Sequence, residues 1–155
     1  MTHALLSPNR LFSRSEVLTK PSPVERRSGV YAWFFKSVPA SVPTKDCIKF
    51  NDHTLLYVGI SPKAPPLNGA KPSSQNLWHR VRYHYRGNAE GSTLRLTLGC
   101  LLSEELGIQL RRVGSGTRMT FTSAGEAKLS DWMERNAFVT WIEHPTPWLL
   151  EDELS

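Results

Sequence analysis

Cysteine is scarce in this chain: Cys47 and Cys100 are the only two in 155 residues, far apart and without a Cys-x-x-Cys partner. That excludes a disulfide framework and a cysteine-based zinc site, and leaves both as reduced thiols. The five histidines, His3, His53, His79, His84 and His144, are scattered without the spacing that puts two of them on one metal. No apolar run approaches the roughly 20 residues of a membrane-spanning helix, and residues 1–10 lack the charged start, apolar core and cleavage site of a leader peptide. The expectation is a cytoplasmic protein with no membrane association. Internal repeats and low-complexity segments are also missing.

What is present fits one globular domain. A length of 155 residues with 39% hydrophobic content buries one core but not two comfortable ones. Nineteen Lys plus Arg against fourteen Asp plus Glu give a formal charge of +5. That balance favours an acidic polymer as partner, through phosphate neutralisation and counterion release, and it also fits an ordinary solvated basic surface. Between Arg80 and Arg118 the cations are mostly arginine, which suits forked contacts with phosphate oxygens.

Residues 1–28 are polar and carry Pro8, Pro21 and Pro23, with Leu11, Phe12, Val17 and Leu18 as anchors. They read as an N-terminal arm wrapping a domain that spans 29–155. Strands are expected at 29–36 and 54–60, both β-prone, and at 138–144. The connection between the first two, marked by Pro39, Pro43 and Asn51-Asp52, is too long for a tight hairpin and reads as an insertion at the sheet edge. From Ser61 to Ser74, Pro62, Pro65, Pro66 and Pro72 rule out a regular element. Lys63 and Lys71 are read as keeping this loop soluble, with phosphate contact as the alternative.

Helices are expected at 75–86, where Leu77, Val81 and His84 share one face, and at 92–106, opened by Ser92 and stopped by Gly107. Two more are expected at 124–136, opened by a Ser123-x-x-Glu126 capping box, and at 147–154, with Thr146 as cap and Pro147 in the first turn. Gln109–Val113 and Arg118–Thr122 flank Gly114-Ser115-Gly116-Thr117, a hairpin signal. The fold class is therefore α+β: a small central, mainly antiparallel sheet flanked by helices, with an extra β-hairpin.

The residues that carry chemistry recur in order: Gly29-Val30-Tyr31, then Tyr57-Val58-Gly59, then Leu77-Trp78-His79-Arg80 and Arg82-Tyr83-His84. Paired strands would present both phenols, with Tyr57 opposite Tyr31, and the following helix delivers Arg80 with His84 one turn above it. Phosphodiester hydrolysis needs a base for water, positive charge on the phosphoryl oxygens and a way to handle the leaving oxygen, and two phenols, a guanidinium and an imidazole suit it. Taken singly, each tyrosine also reads as a core aromatic, Arg80 as a helix-surface cation and His84 as a packed histidine. Glycine inside a strand lets a backbone or ligand approach closely, which makes Gly29 and Gly59 informative, although either could mark a bulge or strand end. Arg82, Tyr83, Tyr85 and Arg86 alternate cation and aromatic, as suits backbone contact and base stacking.

At these residues the chain resembles the GIY-YIG nuclease family, whose pattern is a Gly-Ile/Val-Tyr strand, a Tyr-Ile/Val-Gly strand, a helix reading Leu-x-x-Arg-x-x-x-His/Tyr and a later helix with one metal-binding glutamate. The resemblance spans about 29–154 and implies a divalent-metal-dependent endonuclease hydrolysing DNA, the alternative being a catalytically weak or silent nucleic-acid-binding module. It implies Tyr31 as general base, Tyr57 and His84 as orienting groups, Arg80 as charge stabiliser, and Glu151, in Leu149-Leu150-Glu151-Asp152-Glu153-Leu154, as ligand for Mg²⁺ (or Mn²⁺). An early-helix acidic residue would read the same way at Glu151, Asp152 or Glu153. Gly29, Gly59, Arg82, Arg86, Arg111 and Arg112 complete the substrate-binding expectation, the last two from the hairpin. Two departures stand out. Ile60 occupies the position where many members carry a lysine that acidifies the tyrosine, so another cation must act on Tyr31. The chain also ends at Ser155, before the asparagine-bearing loop usual in the family, and is expected to be short or truncated there.

Overall fold

The computed structural model describes the backbone of residues 2–114 and 116–154 and the side chains of 4–114 and 116–150. The elements in chain order are α1 (Thr2–Leu6), α2 (Arg14–Leu18), β1 (Gly29–Phe35), β2 (Lys49–Phe50), β3 (His53–Ser61), α3 (Leu77–Arg86), α4 (Thr93–Leu101), α5 (Ser103–Leu106), β4 (Arg111–Arg112), β5 (Met119–Thr120), α6 (Thr122–Asn136), β6 (Ala137–Glu143) and α7 (Pro147–Leu154). The fold is α+β. A four-stranded sheet in the order β2-β3-β1-β6 is antiparallel throughout, and β4 and β5 form a separate two-stranded hairpin.

Strand β1 is the centre of the molecule, and each of its seven residues is buried. The two-residue period of a strand divides them between opposite faces. Tyr31, Trp33 and Phe35 join Leu77, Val81 and Tyr85 of α3, Leu98 of α4, and Leu129, Trp132 and Met133 of α6 in the larger core. Val30, Ala32 and Phe34 join Leu5 of α1 and Leu150 of α7 in a smaller one. At ~1.5–3 kcal/mol for each large apolar side chain removed from water, this two-sided burial is what fixes β1 between helical layers. It also explains the unbroken run Gly-Val-Tyr-Ala-Trp-Phe-Phe: a strand covered on both faces has no position for a polar residue.

Residues before β1 pack into both cores. Val17 and Val24 are buried in the larger one and Leu5 in the smaller, while Leu11, Phe12 and Leu18 lean against them half-buried. Phe12 extends the sheet beyond β6, exchanging backbone hydrogen bonds of 2.9 Å with Val139 in both directions, and its ring stacks on Trp141 at 4.7 Å.

Local chemistry explains most boundaries. Asn76 caps α3 by accepting the His79 amide at 2.9 Å. Ser92 caps α4 through the Arg95 amide at 3.1 Å. The helix expected over 92–106 is interrupted at Leu102 and resumes as α5, which ends where Gly107 takes a left-handed φ of 65°. The long connection after β1 returns as β2 and adds a fourth strand to the sheet edge.

One expectation at the start of α6 is corrected. Ser123 and Glu126 do not form a capping box: the helix begins at Thr122, whose hydroxyl accepts the Gly125 amide at 3.3 Å. The Glu126 carboxylate turns inward, accepting from the amides of Phe121 and Ala89, each at 3.0 Å, and from Arg95 Nε at 3.0 Å. Arg95 is fully buried, and its guanidinium also donates to the carbonyls of His84, Tyr85 and Glu126 and to the hydroxyl of Ser130. A buried guanidinium needs its donors satisfied, and the unpaired carbonyls at the end of α3 supply two of the acceptors. One ion pair thus ties the last turn of α3 to α4 and α6.

Candidate active site

The register of β1 against β3 sets the positions of the two phenols. Tyr31 faces Gly59, and Trp33 faces Tyr57, so the tyrosines are diagonal neighbours on one face rather than directly opposed as the sequence suggested. Their ring centroids are 6.5 Å apart. A Cβ at position 59 would run into the Tyr31 ring, and one at position 29 into the Ile142 carbonyl and Leu77. Both glycines therefore admit the chain's own groups at close range. Gly59 also lines the pocket in front of the rings, and among the described residues Gly29 does not.

Helix α3 completes the cluster. His84 is fully buried, 5.4 Å from the Tyr31 ring and 6.0 Å from the Tyr57 ring between centroids. Its Nε2 is 2.8 Å from Tyr31 Oη, and its Nδ1 is 2.7 Å from Ser92 Oγ. Burial, followed by the nearby charges of Arg80 and Arg95, pushes the imidazole pKa from 6.5 down to about 3. His84 is therefore neutral near pH 7 and carries one ring proton. Ser92 Oγ already accepts the Arg95 amide. A serine hydroxyl both donates and accepts, so two arrangements satisfy these contacts: Oγ–H donating to Nδ1 with Nε2–H donating to Tyr31 Oη, or Nδ1–H donating to Oγ with Tyr31 Oη–H donating to Nε2. The sequence marked Ser92 only as a helix cap; in the folded chain the same oxygen is also the hydrogen-bond partner of His84 Nδ1.

A pocket of about 420 Å³ opens in front of this cluster, lined by Tyr31, Tyr57, Val58, Gly59, Ile60, Lys63, Ala64, Arg80, Thr93, Trp148 and Leu149. Arg80 reaches it from α3 with both terminal nitrogens 3.4 Å from the Gly91 carbonyl, which aims the guanidinium without neutralising it. Lys63 also lines the pocket, three positions beyond Ile60, so the loop read as solubilising contributes a cation beside the phenols. The first turn of α7 forms the far wall through Trp148 and Leu149. Glu151 follows two residues later on the same helix, and its side chain lies outside the described residues.

The remaining expected residues distribute unevenly. Arg82 and Arg86 lie further along α3 beside a second cleft that shares Arg80. Arg111 lines grooves with Ile108 and Phe121, and neither it nor Arg112 lines the tyrosine pocket.

The donor set bears on metal choice. No cluster of three or more His, Cys, Asp or Glu side chains that could hold an ion occurs among the described residues. His84 is engaged at both nitrogens, and no thiol lines the pocket. What the described lining offers is oxygen, from the two phenols. That set fits a hard, largely hydrated cation such as Mg²⁺ or Mn²⁺, which often takes only one or two protein ligands.

Set against known proteins, residues 29–155 match a family model described as the GIY-YIG catalytic domain. No curated protein and no solved structure matches the chain.

Proposed function

The chain belongs to the GIY-YIG family and carries its nuclease-type catalytic domain; on that premise we propose that it is a divalent-metal-dependent endonuclease hydrolysing phosphodiester bonds of DNA. The observation that carries this reading is the 2.8 Å contact between Tyr31 Oη and His84 Nε2 at the back of a pocket whose rim holds Arg80 and Lys63.

The scissile phosphate enters this pocket with Arg80 bracing a non-bridging oxygen, and the guanidinium gains most where charge builds in the transition state. Tyr31 acts as general base toward the attacking water. In the arrangement with the ring proton on Nε2, donation from His84 favours the Tyr31 phenolate over the phenol, and Arg80 and Lys63 add positive charge nearby. Lys63 thereby supplies the cation that Ile60 does not. Tyr57, diagonal to Tyr31, orients the water or the phosphate. Glu151, assisted by the phenol oxygens, would hold the cation, which when bound stabilises charge on the phosphoryl and leaving oxygens as a Lewis acid.

A second reading is favoured by Ile60: a catalytically weak or silent module that keeps the scaffold and binds nucleic acid. Incubating supercoiled plasmid with the protein and Mg²⁺, against an EDTA control, separates the two. Metal-dependent nicking supports the endonuclease, whereas salt-sensitive binding with no nicking overturns it in favour of the silent module.

A further inference from the structure

Beyond the tyrosine pocket, α3 carries a second cleft of about 380 Å³ lined by Gln75, Trp78, His79, Arg80, Arg82, Tyr83, Arg86 and Gly91. Two guanidinium groups are stacked on one indole at its edge: Arg26, from the segment before β1, has its central carbon 3.8 Å from the Trp78 ring centroid, and Arg82 has its own at 4.2 Å. Stacking of this kind holds the planar forks in place while leaving N–H groups at their edges free to donate. Arg82 is mostly buried, and its pKa is lowered by desolvation, then by the like charges of Arg86 and Arg26. Among the described residues, none of Arg26, Arg80, Arg82 and Arg86 has a carboxylate ion-pair partner.

A concentration of like charge without a counter-charge costs folding free energy and is relieved by an anion. Arg82 and Arg86 are four residues apart on one helix and therefore point the same way. Arg80 lines both clefts, so the two adjoin at this residue. We propose that this cleft, lined by Trp78, Arg82 and Arg86 and with Arg26 stacked on the same indole, is a binding site for a nucleic-acid phosphate flanking the scissile one on the same strand. The proposal rests on the nuclease reading for the occupant of the first pocket. The function of the second cleft is to fix the strand's register, so that the scissile phosphate arrives at Tyr31 rather than a neighbour.

The test is equilibrium binding of a fluorescein-labelled 20-base-pair duplex to the full chain in EDTA, across a salt series. Arg26 and Arg86 are exposed, so Arg26→Gln/Arg86→Gln should fold normally; Trp78→Ala, which releases the stacked forks, is a second route. The double variant should bind about tenfold more weakly at low salt, and its log K against log salt slope should fall by about 0.9, the signature of one lost phosphate contact. Wild-type affinity and slope in both variants, alongside weakened binding in Arg80→Gln, overturns the flanking site while leaving the nuclease reading intact. Absence of DNA binding by the unsubstituted chain at low salt overturns both.

Discussion

Oη of Tyr31 lies 2.8 Å from Nε2 of His84, which joins the middle of the central strand to the buried face of α3. The pair connects fold to chemistry, because the packing that buries the imidazole also keeps it neutral and aimed at the phenol.

Gly59 exists to make room for that phenol. Gly59→Ala places a methyl group against the Tyr31 ring, and the buried ring must move. Cost in stability should be about 1–3 kcal/mol by urea denaturation, as for other overpacked cores. Nicking activity should fall at least tenfold even at temperatures where the variant is folded.

Ser92 acts on Tyr31 through His84. In Ser92→Ala the ring loses its Nδ1 partner and can place its proton there, accepting from Tyr31 instead of donating to it. The expected result is a kcat lower by about tenfold with KM little changed, and a pH–rate profile displaced upward, with Ser92→Thr restoring both. A purely structural role for Ser92 would lower Tm and leave the profile in place.

Acid stability follows from the histidine. His84 has its folded-state pKa at about 3 against 6.5 for the unfolded group, because of burial and then the charges of Arg80 and Arg95. Between those values the unfolded chain binds a proton that the folded chain does not. Stability from this group is therefore complete above pH 6.5 and is lost as pH falls toward 3, with a slope of up to ~1.4 kcal/mol per pH unit. Urea midpoints measured from pH 7 to pH 4 should show this slope in the wild type and a shallower one in His84→Gln.

Much of this arrangement was legible in the sequence, and the remainder was hidden for identifiable reasons. Strands β1, β3 and β6 and helices α3, α6 and α7 announce themselves by apolar periodicity, caps and breakers. The two-residue strand β2 has no periodicity to detect. Register is equally silent: the triplets suggested that Tyr57 faces Tyr31, whereas pairing sets Gly59 opposite Tyr31. At Glu126 a plausible local cap lost to a tertiary partner, since Arg95, 31 residues away in sequence, needed a carboxylate in the core. The importance of Ser92 and Lys63 emerges only when α4 and the loop after β3 are brought beside the phenols.

That buried ion pair gives a fourth expectation. Glu126→Ala leaves the Arg95 charge without its counter-ion in a site where the arginine is fully buried. A loss of about 3–5 kcal/mol is expected in denaturant unfolding. Because Arg95 also holds the His84 and Tyr85 carbonyls, activity should drop in the fraction that remains folded.

The most direct measurement is the single-turnover rate of plasmid nicking in Mg²⁺ by the wild type, Tyr31→Phe and Arg80→Ala, each verified as folded. Wild-type cleavage with a loss of at least about 100-fold in both variants is the predicted result. Cleavage by Tyr31→Phe and Arg80→Ala at the wild-type rate would contradict the account.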